Sequence, residues 1–417
     1  MSTRRLRIVN SGARRIQSLK FWKALLILVM FTGILSLSPA ISSLMNNVVI
    51  NSFGQILINN EVWADSGSAS DIQNAVNIVG AMGGGTVHVP EGTYNWYDDQ
   101  VSVSYDNVAI MGQGIDVTII NQTKQAPFAN MFYFRNCENP RITGFTLKGL
   151  IQVEGSPYSS IGVRLLNCKD FRVYYCKFID FAEHAISIRS GSTSTPCYGV
   201  VDHCTIMNPY KDKIRGSTWA DGIDIRSNAY SPSDWDDNIV HFLGQYPVIQ
   251  THPVVYIEDC VTYQTRHAVT SNQLGWFVIR HNTFYQNNSN SIIDIHGGFV
   301  SGGKPIVGGR GLECYDNVID HQGTGGWGVC TRGGDGVIFN NMIKNTDVGV
   351  RLTLDSADDP KPTSEMWIWN NTFQSVSQKY VFELYFTENE DYFLRAPNQE
   401  QDGFTYTPYT YPHPLTL

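Results

Sequence analysis

A chain of 417 residues, 42% hydrophobic with 37 glycines, has ample material for a large core and is too long for the usual single globular domain unless it is a repeat or a barrel. Its net charge is −8, and seven of its 30 basic residues lie in the first 23 positions, so the remainder is more acidic still. That balance argues against nucleic acid as a partner.

The N-terminus carries Arg4, Arg5, Arg7, Arg14, Arg15, Lys20 and Lys23 with no acidic residue, and an uncharged stretch, 24–47, follows, richest in apolar side chains up to Leu37. This is the layout of a secretory signal or a signal anchor with its basic end inside. The stretch exceeds the ~20 residues that span a bilayer, and Ser38-Pro39-Ala40 is a poor cleavage site. Export is expected, with the protein extracellular or at the cell surface; a cleaved signal and a membrane anchor both remain open. The predicted organisation is a targeting segment 1–46, an extended linker 47–64, a repeat domain 65–395 and a Pro/Tyr-rich tail 396–417.

After the linker, the Ser/Asp chemistry of Ser68-Ala69-Ser70-Asp71 predicts a capped helix running through Ala75, Val76, Ile78 and Val79 and ended by Gly83-Gly84-Gly85. A strand over 86–90 and a turn at Glu91-Gly92 follow. From about residue 101 to 390 the chain repeats strand, turn, strand, turn. The second strand of a unit ends in Cys or Asn, one residue, then an apolar side chain: Cys176-Lys177-Phe178, Cys204-Thr205-Ile206, Asn282-Thr283-Phe284, Asn317-Val318-Ile319, Asn341-Met342-Ile343 and Asn371-Thr372-Phe373. Units of roughly 22 residues with short strands and tight turns are the signature of a parallel β-helix, whose coils bury their apolar faces only by stacking. Cys176, Cys204 and Cys260 share one repeat position with the later asparagines, which predicts an interior ladder rather than a disulfide framework; no CxxC pair occurs and no zinc site is expected.

Aligning 184–190, 221–227, 267–272, 291–297, 327–333 and 348–354 on Ile186, Ile223, Val269, Ile293, Val329 and Val350 gives two polar columns. One residue on stand Ser187, Asp224, Thr270, Asp294, Cys330 and Arg351; three residues on stand Arg189, Arg226, Asn272, His296, Arg332 and Thr353. Strand alternation puts both columns on one outward face, a charged stripe suited to a long anionic ligand. The insertions 191–197, 208–220, 228–252, 298–311 and 355–365 are expected to wall a groove over it.

On these features the chain resembles the pectate-lyase-like superfamily of right-handed parallel β-helices. The opening run Ala69-Ser-Asp-Ile-Gln73, with Ala75 and then Gly83 through Pro90 to Tyr94, is similar to that superfamily's N-terminal cap. The implied fold class is all-β, a single-stranded right-handed parallel β-helix with an N-terminal capping helix. Asp294-Ile295-His296 is similar to the Asp-Pro-His motif of mannuronan C5-epimerases, with Ile295 at the proline and Gly297 where those enzymes carry an acid. Ala220-Asp-Gly-Ile-Asp-Ile225 resembles the aspartate motif of polygalacturonases, whose paired aspartates and Gly-His-Gly do not follow here.

The first resemblance implies proton abstraction alpha to a uronate carboxylate, by β-elimination or epimerisation. That chemistry needs a cation at the carboxylate, a base at the proton and an acid or second base beyond it. Arg226 and Arg332, or Arg266, are the candidate cations, because a guanidinium matches a carboxylate bidentately. His296 is the candidate base; Asp221, Asp224 and Asp294 complete the catalytic set, with His267 between Asp224 and Asp294. Arg189, Arg226, Asn272, Arg332 and Arg351 are the candidate substrate contacts. The alternatives are structural: a solvated surface pair for Asp294 and His296, a carbonyl-bound turn for Arg266-His267, and backbone-satisfying turn aspartates for Asp221 and Asp224. No cofactor is required; the acidic loops 234–237 and 355–359 offer the clustered oxygens that bind Ca²⁺, or are simply hydrated. Trp219, Trp235 and Trp327 are placed to stack on sugar rings, whereas Trp276 reads as core. A polysaccharide is the expected partner. A glycoside hydrolase using paired aspartates and a non-catalytic glycan-binding or envelope protein are the alternatives.

Overall fold

The computed structural model describes residues 48–50, 56–58, 60–97, 99–123, 129–150, 160–191, 195–208, 220–227, 243–244, 254–286, 290–323 and 325–417. The basic and apolar N-terminal segment, Trp219, Trp235 and the acidic loop 234–237 lie outside them. No helix among the described residues is long and apolar enough to cross a membrane. The chain divides into two compact units, 1–59 and 60–417. In the first, the strands Val48–Ile50 and Ile56–Ile58 pair antiparallel.

The second unit is built from short β-branched and aromatic strands separated by corners at which Asn and Asp repeatedly take positive φ, as at Asn136, Asn167, Asp170, Asn340 and Asn370. Those residues tolerate the left-handed conformation that reverses the chain without a glycine. Apart from the antiparallel pair Phe299–Ser301 and Lys304–Ile306, the strands pair in parallel with their counterparts one coil later. A 12-stranded sheet runs from Glu61–Trp63 to Tyr392–Phe393, and a sheet of 18 strands carries the rest. Between them runs one continuous apolar core from Ala64 to Phe386. The fold is thus a parallel β-helix, as the repeat spacing predicts.

The helix Ala69–Ala81 begins where Ser68 accepts a hydrogen bond from the Asp71 backbone N–H. It buries Ile72, Ala75, Val76 and Val79 in the same core as Val87, Val101 and Val108. Deeper in the coil, Asn282, Asn317, Asn341 and Asn371 form a ladder, each side-chain amide donating to the next carbonyl oxygen at 2.9 to 3.0 Å. Cys260 continues the column, its backbone N–H donating to Asn282 at 2.8 Å. All eight cysteines are buried and free.

The tail lies on the flank of the 12-stranded sheet. Arg280 is fully buried and donates to Glu258 at 2.8 Å, to the Tyr315 hydroxyl at 3.0 Å and to the Thr410 carbonyl at 3.0 Å. Glu258 in turn accepts from the His413 backbone N–H at 3.0 Å.

Candidate functional site

Five neighbouring strands carry the site: His184–Ser190, Asp221–Ser227, Val269–Asn272, Ser291–Ile295 and Trp327–Thr331. Their register pairs Ile186 with Ile223, Val269, Ile293 and Val329 in turn, the alignment made on the sequence. Asp224, Thr270, Asp294 and Cys330 are therefore lateral neighbours, and Asp224 and Asp294 stand two coils apart.

The face differs from the open stripe expected. Ser187, Asp224, Thr270, Asp294 and Cys330 are each at most 2% exposed. The second column forms a half-buried rim of Arg189, Arg226, Asn272, His296 and Arg332. The two columns do share a face, but the charges on it are of both signs and pair with one another, which permits their burial. The loop at 355–359 closes one end: Asp355 accepts from the Gly297 backbone N–H at 2.8 Å and Asp359 from that of Gly298 at 2.7 Å.

Around Asp224, Arg226 Nε donates at 2.9 Å, and Arg189 Nη2 and His184 Nε2 each stand 3.6 Å away. Burial would raise the Asp224 carboxyl, but Arg226, His184 and Arg189 outweigh it and hold it well below the usual range. Asp221 faces His184 Nδ1 and Arg266 Nη1, both at 3.6 Å. Here burial wins over the Arg266 charge, Asp224 adds repulsion, and the carboxyl is pushed up to about 7. Its Oδ1 has no hydrogen-bond partner. Burial also lowers His184 to about 4, and neither of its ring nitrogens has a hydrogen-bond partner.

The second group adjoins the first through the Gly222 N–H, which donates to the His267 carbonyl at 2.8 Å. Asp294 accepts from Arg332 Nη2 at 3.0 and 2.9 Å and from Ser291 Oγ at 3.0 Å. Its Oδ2 stands 3.1 Å from His296 Nε2 and 3.7 Å from His267 Nε2. Burial opposes ionisation of Asp294, but His296, His267 and Arg332 overcome it and hold the carboxyl far below the usual range. Burial lowers His267 to about 3, keeping it neutral, with Nδ1 donating to the Ser291 carbonyl at 2.7 Å. His296 Nδ1 lies 3.4 Å from Asp355, which Arg332 also binds. Asp355 is held at about 2, its burial outweighed by His296 and Arg332.

Asp221, Asp224, Arg189, Arg226 and Arg266 are thus brought together, as are His267, Asp294, His296 and Arg332. Two predicted contacts stand apart. Asn272 accepts from the Gln273 N–H at 2.7 Å and serves the turn. Arg351 binds Glu383 at 2.9 Å and stacks on the Trp327 ring at 4.0 Å. Trp276 is core, with no exposure. Sequence reasoning missed His184 and Ser291, and placed Asp355 only in an acidic loop for Ca²⁺ or water. The first two were visible as a third polar column, His184, Asp221, His267 and Ser291, two residues before the first four apolar anchors; Asp355 reaches the site from a loop and left no periodic signal.

No family model matches the sequence, and no curated protein matches it. Solved structures do. A mutant tailspike protein of E. coli bacteriophage HK620, in complex with a pentasaccharide, superposes with a TM-score of 0.51 at 13% identity over 80% of this chain and 63% of its own. An alginate lyase from Paenibacillus sp. str. FPU-7 gives 0.45 at 13% identity, over 78% of this chain and 99% of its own. A mannuronan C-5 epimerase A-module from Azotobacter vinelandii gives 0.42 at 14% identity, over 79% and 96%. The likeness is one of fold: the chain is a right-handed parallel β-helix, as the resemblance to the pectate-lyase-like superfamily implies.

Proposed function

We propose that the protein is an exported carbohydrate-active enzyme that abstracts the proton alpha to the carboxylate of a uronate-containing polysaccharide. Asp221 carries the proposal: a buried carboxyl poised at about 7 with one oxygen uncommitted can take and return a proton near neutral pH. Arg189, Arg226 and Arg266 in its own group, and Arg332 further along the face, keep side-chain exposures of 15 to 23%, enough for a sugar carboxylate to meet them. The sequence favours His296 as base, but both its ring nitrogens lie against carboxylates, so the proton transfer is assigned to Asp221. The fold's likeness to a tailspike in complex with a pentasaccharide accords with a glycan ligand, and the basic-then-apolar N-terminus supports export.

One observation favours a second reading. A raised Asp221 beside an ionised Asp224 is the unequal carboxyl pairing with which glycoside hydrolases cleave. The test is a screen of alginates, pectates and glycosaminoglycans with the wild type and Asp221→Asn, following ultraviolet absorbance and reducing ends together. Absorbance that the variant loses supports elimination; reducing ends without absorbance support hydrolysis. Neither signal, with no exchange of the sugar's alpha proton, leaves a glycan-binding protein and refutes the enzyme.

A further inference from the structure

We propose that His267, Asp294 and His296 bind one divalent first-row transition cation, a site that goes beyond the polysaccharide reading and stands without it. The three ligand atoms lie within 4.8 Å of one another. His296 Nε2 and His267 Nε2 approach Asp294 Oδ2 to 3.1 and 3.7 Å. Donors at ~2.0–2.2 Å from a metal stand roughly 3.0–3.4 Å apart, so the two histidine–aspartate pairs close on an ion by a few tenths of an ångström, and no pair in the group, bounded at 4.8 Å, moves by more than about 1.4–1.8 Å.

The second observation is His267 itself. It is 1% exposed, and its Nδ1 is committed to the Ser291 carbonyl at 2.7 Å. Its proton is thereby placed on Nδ1, and the Nε2 lone pair faces the Asp294 carboxylate with no hydrogen-bond partner. A buried lone pair turned toward an anion is unfavourable, and a cation between them removes the conflict.

The outer partners are those of a metal centre. A ligating imidazole gives its other nitrogen to a carbonyl or carboxylate; His267 has the Ser291 carbonyl and His296 has Asp355 at 3.4 Å. Asp294 Oδ1 is held by Ser291 Oγ at 3.0 Å, and Arg332 Nη2 binds both carboxylate oxygens, leaving Oδ2 a further lone pair. Arg332 is shared with Asp355, so two carboxylates face one guanidinium and a negative charge is left for the ion. Two imidazoles and one carboxylate select a cation such as Zn²⁺ or Co²⁺ over Ca²⁺ and leave positions for water or a substrate oxygen. Asp355, which lies in a loop the sequence offers either to Ca²⁺ or to water, becomes an outer support.

The full chain, stripped with a chelator, is titrated with Zn²⁺ by calorimetry and with Co²⁺ by visible absorbance, with Ca²⁺ in parallel and circular dichroism to monitor folding. Expected are one Zn²⁺ per chain, a Co²⁺ d–d band that Zn²⁺ abolishes, and no displacement by Ca²⁺. Affinity falls at least ~100-fold in His267→Ala and in the more exposed His296→Ala, and ~10-fold in Asp355→Asn. A folded wild type that binds neither Zn²⁺ nor Co²⁺, or folded variants that bind as it does, overturns the proposal. No substrate enters this measurement, so its failure leaves the enzymatic reading standing, and a silent substrate screen leaves the metal site standing.

Discussion

Replacing Asn317 by alanine removes the middle rung of the asparagine ladder. The side chain donates to the Ile279 and Tyr315 carbonyls at 3.0 and 2.8 Å and to Asn341 Oδ1 at 2.9 Å. Its own oxygen accepts the Asn282 backbone N–H and side-chain amide, both at 3.0 Å. At 2% exposure no water replaces these bonds. The Asn282 backbone N–H is left buried without this acceptor, at about 1–3 kcal/mol, while the Asn282 side-chain amide keeps the Ile257 and Arg280 carbonyls at 2.9 and 2.8 Å; with the two lost carbonyl bonds at about 1 kcal/mol each, the expected loss is about 3–5 kcal/mol. Asn371→Ala is the control: its oxygen also accepts two bonds from Asn341, but the residue is half-buried and water can replace it, so about 1–2 kcal/mol is expected. The assay is urea unfolding of both variants, with hydrogen exchange to locate the loss, because a solenoid opens locally. Equal losses in the two variants, or unchanged exchange at 276–285 in Asn317→Ala, would refute the ladder's role.

Asp221→Asn is predicted to stabilise the protein. A carboxyl raised from 3.8 to about 7 binds more protons folded than unfolded, so stability falls as pH rises through that window; the variant gains nothing near pH 4 and at most roughly 4 kcal/mol above pH 7. Thermal melts from pH 4 to 8 measure it, and a constant difference contradicts the assignment. His184→Gln works in the opposite sense: His184 falls from 6.5 to about 4 on folding, so its cost appears as pH drops below 6.5, and the variant should flatten that acid limb of the same melts. Arg280→Met leaves the buried Glu258 carboxylate uncompensated, at about 3–5 kcal/mol, and frees the tail. Limited proteolysis should then cut within 405–417, and a tail as resistant as the wild type's would contradict the clamp.

The coil was legible because its constraints are local and repeated. An apolar residue every coil, a Cys or Asn thirteen positions on, and Asn or Asp at the corners carry strand, ladder and turn in sequence order. The register of the site strands followed from that periodicity, and with it the proximity of Asp224, His267, Asp294 and His296. What the pattern could not carry is how the face closes. Periodicity says that a side chain leaves the core, not whether a partner of opposite charge allows it to be covered; Asp224 and Asp294 read as surface and are buried. Asn272 and Arg351 occupy the right column but are satisfied by a turn and by Glu383. The proposed metal group escaped for a related reason: the register brings His267, Asp294 and His296 together, but carries neither the burial of His267 nor the commitment of its Nδ1 to the Ser291 carbonyl.

The most direct measurement of the central claim is proton nuclear magnetic resonance of uronate polymers incubated with the protein in D₂O. Abstraction alpha to the carboxylate, whether it ends in elimination or in epimerisation, predicts an unsaturated uronate or deuterium at that carbon, and neither with Asp221→Asn. New reducing ends without either signal, or the same signals from Asp221→Asn, would contradict it.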